Sequence, residues 1–551
     1  MGRLGRIGRL ALVCALLIIL VAGSVGFYVV QRTSPQREGT QTVPGLNEPV
    51  TILRDAAGIP HIYASDYHDL FFAQGYVTAQ DRLWQMDMNR RTAWGRLSEV
   101  LGEAGLEADL LFRSMGLGRV AQAEEQALDG ETRAILQAYA DGVNAYVAHL
   151  GGVLPLEFTV LRVDFEPWRP VDSLAWGKMM AWELSTNWAT ELRRAALVAK
   201  LGPQRTAELM PSVPPGVVPQ VPAGLDLSTL GLSALRRLDN VTELVRPSSQ
   251  GLESNNWVVS GSRTDTGLPY LANDPHLGIQ IPAIWYEVHL VGADVDVAGL
   301  SMPGSPGVIV GHNRHIAWGV TNTGADVQDL YVERANPDNR GQFLYEGAWE
   351  GAQIVRETIA VRGRSAPVEL DIPYTRHGPI INADAPDEPP LALRWTALEP
   401  SSLPRSVIGI NRASNWQEFR TSLGDFSSPS QNFVYADTDG NIGYQMSGSI
   451  PVRSQGDGLL PVPGWTGEYE WDGHVPFSAL PSKYNPPEGL LFTANDRVVG
   501  DDYPYLITCE WAPGFRAERI KAMLAGRGNL SLQDMRAVQL DIYSSFAERL
   551  V

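Results

Sequence analysis

Cysteine is nearly absent from this chain of 551 residues, which holds two, Cys14 and Cys509. That excludes a disulfide scaffold and a cysteine-rich zinc module. Lysine is scarce too: Lys178, Lys200, Lys483 and Lys521 are the whole set, and none stands three residues after a serine. A Ser-x-x-Lys nucleophile is therefore unavailable, and no G-x-S-x-G elbow occurs either. His312 and His315 in GHNRHIAWG lack the HExxH context of a catalytic zinc helix. Positive charge is in deficit, with 44 Lys+Arg against 62 Asp+Glu and a formal net charge of −18. A field of that sign repels a polyphosphate backbone, so no nucleic-acid partner is expected.

What remains has ordinary globular composition, 44% hydrophobic and 19% charged. The 15 Trp and 18 Tyr argue for a large core with aromatic-lined clefts. At about 150 residues per domain, the length allows three or four units or one large fused fold.

Arg3, Arg6 and Arg9 precede an uncharged stretch from Leu10 to Val30, closed by Gln31-Arg32. About 20 apolar residues span a bilayer as a helix, and a basic N-terminal flank keeps that end in the cytoplasm. Residues 1–32 thus read as a membrane anchor or a signal, with small residues at Ala22, Gly23 and Ser24 for processing. Everything after them is expected to be exported. Cys14 falls inside this segment, which leaves Cys509 without a disulfide partner in the folded part.

Residues 33–46 suit a short linker. Two strands around the Ala57-Gly58 turn follow, then helices over 69–101, 121–150 and 172–200. A Pro-rich stretch with little structure opens at Pro203, and the sequence turns strand-rich after Glu253. A last helix is expected over 531–551.

The segment at that change of character carries the chemistry. Ser254-Asn255-Asn256-Trp257-Val258-Val259-Ser260-Gly261 opens directly into a strand. Should the Glu253–Ser254 bond be cut, Ser254 has both a hydroxyl and a free α-amine. An α-amine titrates near 7.7–8.0, so a useful fraction is neutral at pH 7. It can take the hydroxyl proton, and one residue then supplies nucleophile and base. An ordinary strand-start serine is the plain alternative.

SNNWVVSGSRT, with LANDPHL, PGVIVGHNRHIAWG and TNTGADVQDLY after it, resembles the penicillin acylase family of N-terminal nucleophile hydrolases. GIPHIYASDYHDLFFAQGYVTAQDRLWQMDMNRR is similar to that family's first chain. The resemblance implies an α+β fold with a four-layer αββα core, made by two chains from one self-cleaved precursor. It divides this sequence into a first chain at 47–225, a connector at 226–253 and a second chain at 254–551. Val551 falls inside a helical pattern, and by the same resemblance the second chain is expected to continue beyond it.

Residue by residue, the resemblance makes Ser254 the nucleophile and Glu253 the residue before the cut, where Gly, Ala or Thr is usual. His276 in LANDPHL is assigned to the catalytic set, hydrogen-bonding the serine or the substrate, by its likeness to the cephalosporin and acyl-homoserine-lactone acylases, where the penicillin G-type members carry Gln. Oxyanion donors are assigned to the Asn322 backbone and the Asn495 side chain. Arg519 is assigned to the family's active-site arginine, with Arg516 the alternative. Leu277 and Val310 match acyl-pocket positions, and Trp182 lies on the helix expected to cover that pocket. A structural calcium ion is implied at Glu191, Asp326, Gln328 and Asp329, joining the two chains. The expected activity is hydrolysis of N-acyl amides, either β-lactam side chains or acyl-homoserine lactones. An inactive binding protein and an unprocessed surface protein are the rival readings.

Overall fold

The helix expected at the N-terminus runs Arg3–Thr33 in the computed structural model, which describes residues 3–185, 187–213, 215–245 and 253–551. Its stretch Ile7–Thr33 is long and apolar enough to cross a membrane, with a mean hydropathy of 2.8. Leu16, Ile18 and Leu20 stand exposed along it.

The helix Tyr67–Trp94 opens where the Asp66 carboxylate accepts the Asp69 N–H at 2.8 Å. It closes at Gly95, in the left-handed region with φ 61°. The expected helix over 121–150 is two, broken where Asp129 caps the helix Gly130–His149. The helices Tyr67–Trp94 and Gly130–His149 pack backbone to backbone. A Cβ on Gly75 would lie 2.1 Å from the Tyr139 carbonyl, and one on Gly142 would lie 1.9 Å from that of Phe72.

These helices cover one face of a nine-stranded sheet. Its order is Thr51–Arg54, Pro60–Tyr63, Tyr286–Gly292, Val295–Ser301, Val310–Asn313, Ile316–Asn322, Gln431–Asp437, Ile442–Ser447 and Ser482–Tyr484. The strand Pro60–Tyr63 joins Tyr286–Gly292 in parallel, with His61 opposite His289, so the two halves of the sequence share one sheet. Leu70, Tyr139, Leu290, Val297 and Trp318 form the core between helices and sheet.

A second sheet has three antiparallel strands, Leu490–Thr493, Glu253–Val259 and Tyr270–His276. It lies against the strands Ile316–Asn322 and Gln431–Asp437 of the large sheet. Strand alternation divides its side chains. Val258 packs in the core with Val434 and Tyr444, while Trp257 and Val259 pack with Leu524 and Met535 of the helices Phe515–Leu524 and Leu532–Gln539. Each such large apolar side chain, fully buried, stabilises by about 1.5–3 kcal/mol.

Two expectations need correction. The helix over 531–551 is split into Leu532–Gln539 and Ser545–Leu550, each capped by a serine, Ser531 and Ser544. The stretch after Pro203 is not poorly structured throughout. The helix Ser233–Val245 buries Ala234, Leu235, Leu238 and Val241, and Arg237 pairs with Glu107 and Asp384. A stripe at that spacing finds a core wherever one is offered. The connector from 246 to 252 lies outside the described residues.

Candidate active site at Ser254

Ser254 is the second residue of the strand Glu253–Val259, and alternation turns its side chain inward, to 6% exposure. Its backbone is gripped at both ends. The Ser254 N–H donates to Asn495 Oδ1 at 2.7 Å, and the Ser254 carbonyl accepts from Arg516 Nη1 at 2.7 Å. Arg516 also donates to Asn255 Oδ1 at 2.9 Å and to Asn495 Oδ1 at 3.1 Å. Its Nε pairs with Glu253 Oε2 at 2.8 Å, so one guanidinium straddles the Glu253–Ser254 peptide. Burial pushes the Arg516 pKa down, and the Glu253 and Asp496 carboxylates oppose that shift. Arginine stays charged through such a shift.

Asn495 adopts the left-handed conformation with φ 62°, which asparagine tolerates better than most side chains. That bend carries its amide back to donate to the Asn322 carbonyl at 2.7 Å. Asn322 ends the strand Ile316–Asn322, and its own amide donates to the Leu184 carbonyl at 2.9 Å.

Beneath Ser254 a buried polar chain joins the two sheets. Thr493 Oγ1 bonds to Asn256 Oδ1 at 2.6 Å and to Thr321 Oγ1 at 2.7 Å. Asn432 donates to Thr321 Oγ1 at 3.1 Å and accepts from the Tyr444 hydroxyl at 2.7 Å. Bonded chains of this kind rigidify what they join, although the Asn256 amide nitrogen is buried without a partner.

In front of Ser254 lies a cleft walled by Leu277, Trp285, Met302, Phe426 and Phe433 among others. Met180 and Leu184 close another side. The wall is apolar apart from Ser254, Ser305, Asn322 and Gln431, which suits an acyl group with few polar atoms.

The structure brings Ser254, Asn322 and Leu277 together at this cleft, with Asn495 bonded to the first two. His276 ends the neighbouring strand, exposed and directly across from Glu253, one position beyond the Ser254–Pro275 pair. Three assignments fail. Arg519 lies one turn past Arg516, where its guanidinium bonds to the Asp541 carboxylate at 2.9 and 2.8 Å. Arg516 is the one that meets Ser254, Asn255 and Asn495. Trp182 is fully buried, with Phe112 edge-on at 5.0 Å. The phase of its helix Pro170–Glu183 sends Gly177 and Met180 to the cleft and Trp182 into the core. Val310 packs in the core of the large sheet, and Val308 and Ile309 line the cleft in its place. The aromatic walls Trp285, Phe426 and Phe433 carried no sequence signal, because loops and a strand far apart in the chain bring them in.

The carboxylates assigned to calcium form a second, deeper cluster. Glu191, Asp326, Gln328 and Asp329 are all buried, and Asp329 lies in the strand Gln328–Val332 rather than in a loop. Arg453 donates to Asp326 Oδ1 at 2.8 Å and to Asp329 Oδ2 at 2.7 Å. Glu191 accepts the Leu330 N–H at 3.1 Å through Oε2, while its Oε1 is buried without a partner. Burial, then Asp329 and Asp326, push the Glu191 carboxyl well above its ordinary range. Three buried carboxylates thus face one arginine. An orphaned oxygen in a set of hard-oxygen donors fits a divalent cation such as calcium.

The family model described as penicillin amidase matches residues 49–551. The penicillin acylase 2 proenzyme of Pseudomonas sp. (strain SE83) is 36% identical over 531 residues, covering 93% of this chain and 67% of that protein. The acyl-homoserine lactone acylase QuiP of Pseudomonas aeruginosa is 33% identical over 552 residues, covering 94% of this chain and 63% of that one. The penicillin G acylase of Escherichia coli is 30% identical over 541 residues, covering 88% and 63% respectively. The chain spans about two thirds of the length of the curated relatives it matches. A match that runs from residue 49 to 551, through every motif gathered around Ser254, places this chain in the penicillin amidase family.

Proposed function

We propose that this chain is an amidohydrolase that cuts itself at Glu253–Ser254 and then cleaves N-acyl amides through an ester on Ser254. The observation that carries this reading is the convergence of Asn495 and Arg516 on the Ser254 backbone, at the mouth of an apolar cleft. In the first step Ser254 Oγ attacks the Glu253 carbonyl carbon, the C–N bond breaks, and the nitrogen keeps the transferred proton. Water then hydrolyses the ester and frees the Glu253 carboxylate. Arg516, paired to Glu253 and bonded to the Ser254 carbonyl, holds that peptide for attack.

After cleavage the Ser254 nitrogen is an amine. Asn495 Oδ1, 2.7 Å away in the uncut chain, accepts one of its protons and leaves its lone pair for the hydroxyl. The amine takes the Oγ proton as Oγ attacks the substrate amide, passes it to the departing amine, and then activates water for deacylation. The Asn322 N–H and the Asn495 amide are the oxyanion donors, each worth about 2.7–4 kcal/mol. His276 contacts the substrate at the rim. Substrates are β-lactam side-chain amides or acyl-homoserine lactones, N-acyl amides of the kind the relatives' names point to.

In this reading the stacked sheets with their outer helices are a four-layer αββα core, shared by the chain before the connector and the chain after it. Glu191, Asp326, the Gln328 carbonyl and Asp329 hold a structural calcium that ties the two. The apolar N-terminal helix directs export to the periplasm or anchors the protein there.

Acyl p-nitroanilides test the activity. Release of nitroaniline by the wild type, lost in Ser254→Ala, supports the reading. Binding of the anilides without release supports the inactive binding protein instead.

A further inference from the structure

The cleft at Ser254 does not end at its own walls. A second, smaller chamber shares Gly177, Ser305, Ile309, Leu403 and Val407 with it. Gly177 lies inside the helix Pro170–Glu183, where glycine weakens a helix relative to alanine. Packing does not demand it. A Cβ there would meet only Leu403 Cδ2, at an ordinary 3.7 Å. What a side chain would occupy is the passage between the two cavities.

The chamber beyond is lined by an ion pair. Lys178 Nζ lies 2.6 Å from Glu124 Oε1, and the two side chains are 4% and 3% exposed. Lys178 also donates to the Glu399 carbonyl at 3.1 Å, and the Ser401 hydroxyl donates to Glu124 Oε1 at 2.5 Å. The pair neutralises itself. A carboxylate carried in on an acyl chain would therefore be buried without a counter-charge of its own, at high cost. An uncharged chain meets no such penalty.

We propose that the two cavities are one acyl channel gated at Gly177, whose far chamber takes the distal part of a long, linear, uncharged acyl chain. This rests on the assignment of Ser254 as the nucleophile.

The test uses linear alkanoyl p-nitroanilides from butanoyl to dodecanoyl, glutaryl p-nitroanilide, and the variants Gly177→Ala and Gly177→Val. The dodecanoyl-to-butanoyl ratio of kcat/KM is expected to fall about ten-fold or more in Gly177→Val and less in Gly177→Ala. Glutaryl p-nitroanilide is expected to be cut more slowly than the hexanoyl compound. Gly177→Ala, with better helix propensity, keeps or raises the Tm and controls for folding. An unchanged ratio in both variants overturns the proposal, as does glutaryl hydrolysis matching hexanoyl. Calorimetric titration with N-methyldodecanamide and N-methylbutanamide separates this from failure of the Ser254 assignment. With no hydrolysis of any anilide, selective loss of the long amide in Gly177→Val still supports the channel. Equal binding of that amide by wild type and Gly177→Val removes it.

Discussion

The surroundings of Ser254 and the acid cluster around Asp326 use buried polar groups in opposite ways. At Ser254 the donors and acceptors are few, charged only at the Arg516–Glu253 pair, and aimed at the backbone of one residue. At Asp326 the groups are ionisable, lie deep, and are only partly paired, three carboxyl groups to one arginine. The first arrangement leaves one bond exposed to attack beside an apolar cleft. The second gathers buried acid that a cation can balance. Both lie within the segment that matches the family, so the contrast separates chemistry from scaffold inside one fold.

The largest effect should come from the first site. Ser254→Ala is expected to abolish self-cleavage and lower anilide hydrolysis by about 10⁴-fold or more, because nucleophile and base are lost together. Residual hydrolysis near wild type would move the chemistry elsewhere.

The next effect belongs to the second site and to stability. Arg453→Met leaves Asp326 and Asp329 buried without their cation, which costs about 3–5 kcal/mol. Urea unfolding of the uncut chain should show that loss. A change under about 1 kcal/mol would mean that the carboxylates are compensated in another way.

Calcium sharpens the same site. Added at 100 times its Kd, the ion should stabilise by about 2.7 kcal/mol and raise the Tm, and chelation should reverse it. Asp329→Asn should blunt that response. A Tm indifferent to both calcium and chelator would remove the ion from the account.

The smallest effects distinguish two arginines three residues apart. Arg516→Met removes charge-assisted hydrogen bonds worth about 1.5–3 kcal/mol, so self-cleavage should slow about 10- to 100-fold. Arg519→Ala breaks the Asp541 pair and the stacking on Tyr543 at a third-exposed surface and should leave the cleavage rate within about two-fold. The reverse order, read by following band conversion on denaturing gels, would restore the sequence assignment.

Much of this was legible in the sequence where local chemistry decides. Ser254 at a strand start, Asn495 in a turn, and the clustered Asp326 and Asp329 were picked out only by the order of motifs that resemble the family's. The long apolar N-terminal helix follows from its residues alone. What failed depended on phase and packing. Arg516 and Arg519 are near neighbours on one helix face, and only the docking of the helix Phe515–Leu524 on the small sheet shows which meets Glu253. Met180 and Trp182 differ by two residues in a helix buried on nearly every side, so its pattern marks no cleft-facing side. The connector helix Ser233–Val245 was hidden behind a run of prolines that bounds it without describing it.

The most direct measurement is N-terminal sequencing of the purified protein's fragments after denaturing electrophoresis. The account predicts two chains, one of them beginning Ser-Asn-Asn-Trp. A single uncut band from protein whose fold is verified by circular dichroism would contradict it.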